Sequence, residues 1–161
     1  MIAFTVVGVA SGMGSKRAFI PKGWKRAIIT DSNRNLRSWQ SLVADAAGRA
    51  VTERGDAWCV LDGAVRLSLA FYLPRPKSLS KKVTAHIKKP DCSKLIRATE
   101  DALTGIIFLD DAQVVELVAG KYYTGTGDAP HVRIRVEPTS AIVPVVVPPA
   151  SLPLFDPGAT S

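Results

Sequence analysis

The sequence predicts an α+β fold in a single domain, with elements in the order β-α-β-α-β-β, a mixed sheet and helices packed on one face. Two observations lead to this prediction. β-rich segments stand near both ends and in the middle of the chain, and two segments between them repeat apolar residues at helical spacing. The chain has 161 residues, of which 47% are hydrophobic and 22% charged, as expected for one globular domain with a usable core.

The first elements are a strand, a loop and a helix. Residues 2–7 are β-rich and lack the charged region and cleavage site of a signal peptide, so we predict a strand. Residues 8–20 are rich in Gly, Ser and Lys and are predicted as a loop. Asp31 or Ser32 is placed to cap a helix that runs to about Val51. The predicted buried face of this helix consists of Leu36, Trp39, Val43, Ala46, Ala47 and Ala50.

The second half begins with residues 64–72, whose apolar and polar side chains alternate as in a half-buried strand. Residues 73–89 form a Pro-bounded basic loop, and residues 93–104 are predicted as a second helix. Residues 113–119 and 132–136 are predicted strands, and their closeness along the chain predicts that they pair as a hairpin. These elements place one domain at 1–137, followed by a Pro-rich tail at 138–161.

The net charge is +7, and more than half of the 21 basic residues fall in two clusters. Such clusters favour a polyanionic partner but do not separate DNA from RNA or from an anionic membrane. No apolar run reaches the length of a membrane span, and Cys59 and Cys92 have neither metal-ligand spacing nor a disulfide framework. We therefore expect a cytoplasmic protein with reduced thiols. The clusters are Lys16, Arg17, Lys22, Lys25 and Arg26, and Arg75, Lys77, Lys81, Lys82, Lys88 and Lys89.

The segment KKPDCSKLIRATEDALTG, residues 88–105, places acids and bases around the start of the second helix. Asp91 lies just before the helix, and Ser93 and Arg97 lie on its exposed face. Simpler interpretations are that Asp91 or Ser93 caps the helix and that Arg97 pairs with Asp101. The predicted core face consists of Leu95, Ala98, Thr99, Ala102 and Leu103.

A second acidic segment, Asp110-Asp111, precedes the next predicted strand. Two separated acidic sites beside clustered Lys and Arg indicate a divalent metal that meets phosphate, since Mg²⁺ binds carboxylate oxygens together with substrate phosphates. The alternative is an ordinary turn before the strand.

Ordered motifs across residues 1–137 resemble the RusA family of Holliday-junction resolvases, which is common in phages and prophages. They are GSKR at 14–17, FYLPRPKS at 71–78, KKPDCSKLIRATEDALTG at 88–105 and LDDAQVVEL at 109–117, with Lys121 after them. The resemblance implies a homodimeric, Mg²⁺-dependent crossover junction endodeoxyribonuclease, with Mn²⁺ as an alternative ion. Such an enzyme binds four-way DNA junctions in recombination and repair, and nicks two opposing strands symmetrically.

By position, Asp91 resembles the first acid of the family's core motif and Asp111, with Asp110, the last, so the resemblance implies these three as metal ligands. Arg97 stands at a basic position, usually Lys, that is implicated in catalysis. Ser93 stands where the family carries a second Asp, and a neutral hydroxyl is a weaker metal ligand. Three explanations are open: a natural subclass in which Asp110 supplies the extra ligand, a junction binder that no longer cuts, or a substitution introduced to inactivate the enzyme.

The basic residues expected to contact DNA phosphates are Lys16, Arg17, Arg75, Lys77, Lys81, Lys82, Lys88, Lys89 and Lys94. Phe19 or Trp24 either wedges between bases at the junction centre or packs in the core. An RNA-binding α+β domain is a third functional hypothesis beside the nuclease and the impaired binder, but it leaves the acidic motifs unexplained.

The tail contains the sequence ASLPLFDPG, in which Leu152, Leu154 and Phe155 resemble the anchors of the short bacterial sliding-clamp motif, without its Gln. An extended apolar peptide of this kind suits a preformed pocket on a partner. The alternative is that the tail packs on a dimer surface of this protein.

Overall fold

The computed structural model describes residues 1–55, 58–80 and 82–139 and forms one α+β domain. Its main sheet has four strands, and a separate two-stranded sheet lies between the first strand and the first helix. In chain order, the elements are β1 (Ile2–Val7), β2 (Lys16–Phe19), β3 (Ile28–Asp31), α1 (Leu36–Arg54), β4 (Val65–Leu73), α2 (Cys92–Leu103), β5 (Val114–Tyr123) and β6 (His131–Pro138).

The main sheet has the strand order β1-β6-β4-β5. β4 and β5 are parallel, joined by the loop and helix α2, while β6 runs antiparallel to both β4 and β1. The predicted pairing of the last two strands as a hairpin is therefore wrong, because β4 lies between them. β4 is buried at every second residue from Val65 to Leu73, and such a central strand takes a neighbour on each side.

One apolar core lies between one face of the main sheet and the two helices, as predicted. The side chains of Trp39 from α1, Phe71 from β4 and Leu95 from α2 are each almost fully buried in it. The predicted core face of α2 is confirmed in full, and that of α1 is confirmed except that Ala50 is only partly buried. Neither helix of the described part is long and apolar enough to cross a membrane.

The segment from 8 to 20, predicted as a loop, contains strand β2, which pairs antiparallel with β3. The Gly and Ser residues before Lys16 favoured a loop over the whole segment, so the short β-forming run that follows them was not recognised. Asp31 belongs to β3, and Asn35 takes the N-cap position of α1, so this helix begins later than predicted. β6 ends at Pro138, near the predicted domain boundary, and the tail from residue 140 onward lies outside the described residues.

Candidate nucleic-acid and metal site

Asp91 occupies the N-cap position of α2, with an extended backbone and an exposed side chain. Its carbonyl accepts a hydrogen bond of 3.2 Å from the Leu95 amide, but its carboxylate makes no capping bond. The nearest described cation is the Lys94 ammonium, whose Nζ lies 3.6 Å from Oδ2. The backbone of Asp91 thus starts the helix, while its carboxylate stays available to a metal or to solvent.

Ser93 and Arg97 are both exposed on α2, on the side away from the core. Ser93 is in the first turn, and Arg97 follows it by one turn, as the helical projection predicts. The capping interpretation of Ser93 does not apply, since the N-cap is Asp91. A carboxylate at position 93 would lie beside Asp91 at the positive end of the helix dipole.

Lys121 of β5 anchors the basic loop immediately before Asp91. Its ammonium donates hydrogen bonds of 2.8 Å to the carbonyl of Lys88 and 2.7 Å to that of Pro90. The Lys121 carbonyl also accepts a bond of 3.1 Å from the amide of His86. One residue of the sheet therefore sets where the loop enters α2, and with it the position of Asp91.

Arg75 organises the other end of the same loop. Its guanidinium donates to the carbonyls of Thr124, Ser80 and Val83 at 3.1, 3.0 and 2.8 Å, and lies 5.3 Å from the centre of the Tyr123 ring. Because its described bonds go to backbone carbonyls of the protein, Arg75 fixes the conformation of the loop. The expected phosphate contacts Lys77, Lys82, Lys88 and Lys89 are exposed on the outside.

Among the other residues expected to contact DNA, Lys16 and Arg17 belong to strand β2, and Lys81 lies outside the described residues.

The Gly-rich segment before β2 packs against the first turn of α2. The Met13 amide donates to the Lys94 carbonyl at 3.0 Å, and a Cβ on Gly12 would lie 3.0 Å from the Lys94 Cβ. The side-chain amide of Asn33 holds this segment by donating to Ser11 Oγ at 2.8 Å and to the Gly12 carbonyl at 2.7 Å. A cleft of about 370 Å³ results, lined by Gly12, Met13, Asn33, Lys89, Pro90, Asp91 and Lys94.

Asn33 was absent from the sequence-predicted site residues. Its hydrogen-bond partners lie 21 and 22 positions earlier in the chain, so no local pattern marks the residue. The same holds for the loop-anchoring role of Lys121, whose acceptors are backbone carbonyls 31 and 33 positions away.

Asp110 caps the short 3₁₀ helix Asp111–Gln113. Its carboxylate accepts a bond of 2.8 Å from the Ala112 amide, while its own amide donates to Gln113 Oε1 at 2.8 Å. The Gln113 amide group reaches on to the carbonyls of Leu61 and Gly63. The turn interpretation of this segment therefore holds for Asp110, while Asp111 is exposed beside it.

Asp111 lies near the second half of α2, where it forms an acidic group with Glu100 and Asp101. Burial, then the charges of Asp111 and Asp101, raise the pKa of Glu100 above its ordinary value of 4.5, and Arg97 opposes this. Burial, then Asp111, raise the pKa of Asp101 above its ordinary value of 3.8, again against Arg97. Arg97 is thus the cation facing this group.

The two predicted acidic motifs have different surroundings in the described residues. Asp91 contacts Lys94 at the start of α2, whereas Asp111 faces Glu100 and Asp101, roughly 10 Å further along the helix axis. Within the ranges 1–55, 58–80 and 82–139, no three His, Cys, Asp or Glu side chains come close enough together to hold a metal ion. A metal site on this face would draw its remaining ligands from water and substrate.

The fold and the site together define a basic α+β protein whose exposed acids and lysines suit a phosphate-bearing polymer and a divalent cation. The family described as Endodeoxyribonuclease RusA matches residues 13–137, so the chain belongs to the RusA family. It is also 29% identical over 150 residues to the uncharacterized protein YqaN of Bacillus subtilis (strain 168), covering 87% of this chain and 98% of that protein. Membership supports endonuclease activity and junction DNA as its partner.

Proposed function

We propose that this protein is a Mg²⁺-dependent endonuclease that resolves four-way DNA junctions by paired, symmetric nicks in recombination and repair. Membership of the RusA family supports the reaction class. The observation that carries the proposal within the chain is the Asp91 carboxylate, which is exposed, takes no capping bond and lies between a lysine-rich loop and the N-terminus of α2. Such a carboxylate is suited to a metal ion that also meets a phosphate.

Asp91 is the proposed protein ligand of Mg²⁺. Mg²⁺ usually takes one or two carboxylates and completes its shell with waters and substrate phosphates, so Asp91 is an adequate first ligand, and Asp111 joins it as the second when bound DNA brings the two acids to one ion. Asp110 has one carboxylate oxygen engaged with Ala112 and is the weaker ligand of the acidic pair. When bound, the ion lowers the pKa of an attacking water and screens the phosphate charge.

Arg97 acts by charge in this proposal. A guanidinium does not act as a proton donor at neutral pH, so Arg97 offsets charge that develops on the phosphate in the transition state. Lys77, Lys82, Lys88 and Lys89 hold the DNA backbone on either side, and Lys94 sits where it contacts either Asp91 or a phosphate.

Cleavage of a synthetic four-way junction with Mg²⁺ or Mn²⁺ tests the proposal. The chain is expected to nick two opposing strands at related positions, and Asp91→Asn is expected to lose nicking while keeping junction binding. Asp128→Asn, in the loop between β5 and β6, is the matched control and should nick normally. Equal cleavage of duplex and junction, or nicking that survives Asp91→Asn, would contradict the proposal.

A second candidate function is junction binding without cleavage. It is favoured by Ser93, which puts a hydroxyl where a carboxylate would stand beside Asp91, and by the lack of a three-ligand metal group in the described ranges. Loss of one carboxylate weakens metal affinity, and each 1.4 kcal/mol is about tenfold. Tight binding of junctions over duplex DNA and RNA, without nicks at any metal concentration, would identify this function.

Assembly and location are part of the proposal. A two-fold homodimer suits a substrate with two equivalent scissile strands, and gel filtration with light scattering tests it. A bacterial host cytoplasm and a phage or prophage origin suit the same activity. The clamp interaction of Leu152, Leu154 and Phe155 is a separate proposal, and a pull-down with purified sliding clamp tests it.

A further inference from the structure

The face of the main sheet opposite the helices presents its side chains in rows, because the pairing of the four strands aligns one residue from each. The row nearest the basic loop consists of Val7, His131, Tyr72 and Tyr122. The next row carries Arg133 of β6 beside Ala70 of β4. One end of this face is therefore aromatic, with a guanidinium in the row that follows.

The three rings of the aromatic row contact one another. The Tyr72 and His131 rings stack, with centroids 4.5 Å apart and planes at 16°, and the Tyr122 centroid lies 5.5 Å from that of Tyr72. His131 Nδ1 lies 2.9 Å from the carbonyl of Ala129, which orients that ring. Tyr72 and His131 are half-buried, whereas Tyr122 is 41% exposed. Tyr122 is thus the ring of this row that offers most surface to a ligand.

The Tyr122 ring lies over Gly120, the preceding residue on the same face of β5. A Cβ added at Gly120 would come within 3 Å of the Tyr122 ring and its hydroxyl. Because glycine has no side chain, the ring can lie down along the sheet instead of standing away from it. One side of the ring is thereby covered by the sheet and the other is left toward solvent. Nucleic-acid bases stack on an exposed aromatic face of this kind.

The charges on this face leave one cation available to a phosphate. Arg66 forms an ion pair with Glu116, and Arg135 bonds Glu137 at 2.8 Å. Arg133 is exposed and has no acidic partner among the residues that the structure describes. A phosphate is the complementary partner for such a guanidinium.

Arg133 and the Tyr122 ring line one hollow of about 510 Å³, with Arg133 and Arg135 of β6 along its middle. The Arg133 guanidinium and the Tyr122 ring are at most about 11 Å apart, since the Tyr72 ring lies 5.2 Å from the first and 5.5 Å from the second. This separation suits a base and a phosphate that belong to one short stretch of a strand. The hollow therefore offers both contacts to the same ligand.

We propose that this face binds an unpaired segment of the DNA substrate, with a base stacked on Tyr122 and a phosphate held by Arg133. A base stacks on a side chain only where its own face is free, so the ligand is an unpaired strand rather than duplex DNA. The inference rests on the proposed function for the source of that strand, because the bases at the centre of a four-way junction are unstacked.

The position of the aromatic row links it to the candidate metal site. Ala85 of the basic loop bridges Tyr122 at the edge of β5. Lys121, which holds the same loop just before Asp91, precedes Tyr122 in the strand, so the two side chains point to opposite faces of the sheet. A strand that passes the loop at this edge therefore reaches Tyr122.

Binding of a short fluorescein-labelled oligothymidylate, measured by anisotropy over a salt series in EDTA, tests the proposal without cleavage. Tyr122→Ser is expected to weaken binding about tenfold without changing the slope of log K against log salt, because a stacking contact is lost and no phosphate contact. Tyr122→Phe keeps the ring and should bind as the unaltered chain does. Arg133→Gln is expected to reduce the slope by about 0.7, the value for one phosphate of a single strand. Arg49→Gln, which removes the same charge from the exposed side of α1, is the matched control and should leave the slope unchanged.

The proposal is overturned if Tyr122→Ser binds the oligonucleotide as tightly as the unaltered chain, or if Tyr122→Phe weakens binding as much as Tyr122→Ser. Equal slopes for Arg133→Gln and Arg49→Gln would overturn the phosphate contact. Light scattering at the same concentrations gives a further outcome: if Tyr122→Ser converts a dimer into monomers, a second copy occupies the face and the proposal is overturned. Failure of the proposed function is a separate result, because it is the absence of junction nicking by the unaltered chain in Mg²⁺.

Discussion

Two cations, Lys121 and Arg75, hold the loop between β4 and α2 near its two ends, and their bonds go to backbone carbonyls rather than to acids. The positive charges of several lysines in one loop repel one another, and fixed hydrogen bonds at both ends of the loop counter that repulsion. The exposed lysines are thereby presented outward, where phosphate is expected. Structure and binding are assigned to different basic residues in this loop.

Replacing Lys121 by Met should release the carbonyls of Lys88 and Pro90. Because hydrogen bonds from a charged donor are lost, the free energy of unfolding is expected to fall by about 1–2 kcal/mol, measured by urea titration. Lys82→Met, which removes an exposed charge from the same loop, is the control and should leave stability nearly unchanged. Equal losses in the two variants would show that Lys121 does not anchor the loop.

Two glycines offer a matched test of the contact between the Gly-rich segment and α2. Gly12→Ala places a Cβ 3.0 Å from the Lys94 Cβ and 3.2 Å from the Lys94 carbonyl carbon. Because these atoms belong to the α2 backbone or are attached directly to it, the substitution is expected to destabilise the protein by about 1–3 kcal/mol. Gly48→Ala, inside α1 with nothing within 4 Å of its Cβ, is expected to stabilise it by about 0.5–1 kcal/mol. Thermal unfolding of both variants measures these changes, and stabilisation by Gly12→Ala would contradict the packing.

Helix α2 is the element that carries the candidate site, and its exposed face divides into two ends of different charge. Asp91 and the lysines lie at its start, while Glu100, Asp101 and Asp111 gather beside its second half, with Arg97 between them. The raised pKa values of Glu100 and Asp101 mean that the ionised group costs folding free energy. This cost is absent below the unfolded-state carboxyl pKa and fully present above the folded-state value.

Asp111→Asn should therefore raise the melting temperature at neutral pH and lose this advantage well below the ordinary carboxyl pKa of about 4. Removing the Asp111 charge also brings the pKa values of Glu100 and Asp101 back toward their ordinary range. Calorimetry across pH in the presence of a chelator measures the first effect, and NMR titration the second. A melting temperature that falls at neutral pH would show that Asp111 stabilises the fold.

Sequence patterns predicted elements where the pattern is periodic and long. The alternation in β4 and the spacing of Leu95, Ala98 and Leu103 in α2 each match the observed buried faces, because one side of each element meets the core. β2 and β3 were missed because each has four residues, too few to show a period. β6 lies between β1 and β4 because it pairs with strands that are distant in the sequence. The short connection from β5 to β6 gives no information about that pairing.

For the site, the sequence pointed to Ser93 and Arg97 on one exposed face of α2 and to Asp91 just before the helix, and the structure places them there. The spatial relation of Asp91 to Asp111 was not predictable, since it depends on where the turn before β5 meets α2. The roles of Asn33 and Lys121, and the bond of Arg75 to Thr124, also depend on distant carbonyls, and no motif marks them.

At the scale of the whole molecule, the net charge of +7 and the exposed lysines of one loop predict binding that weakens steeply with salt. Replacing Lys88 and Lys89 together by Gln should lower junction affinity and reduce the slope of log K against log salt by about 1.8. Fluorescence anisotropy over a salt series measures both quantities. Arg49→Gln, on the exposed side of α1, is the control, and an equal change in slope there would contradict a localised interface.

The most direct measurement is nicking of a four-way junction, with each strand end-labelled in turn, by the unaltered chain, Ser93→Asp and Asp111→Asn in Mg²⁺. If the chain is a junction-resolving RusA-family enzyme, the unaltered protein makes paired nicks at symmetric positions. Ser93→Asp is then expected to nick faster, and Asp111→Asn is expected not to nick. Nicks made by Ser93→Asp alone would assign the unaltered chain to junction binding. Absence of junction-specific binding and nicking in all three proteins would contradict the account.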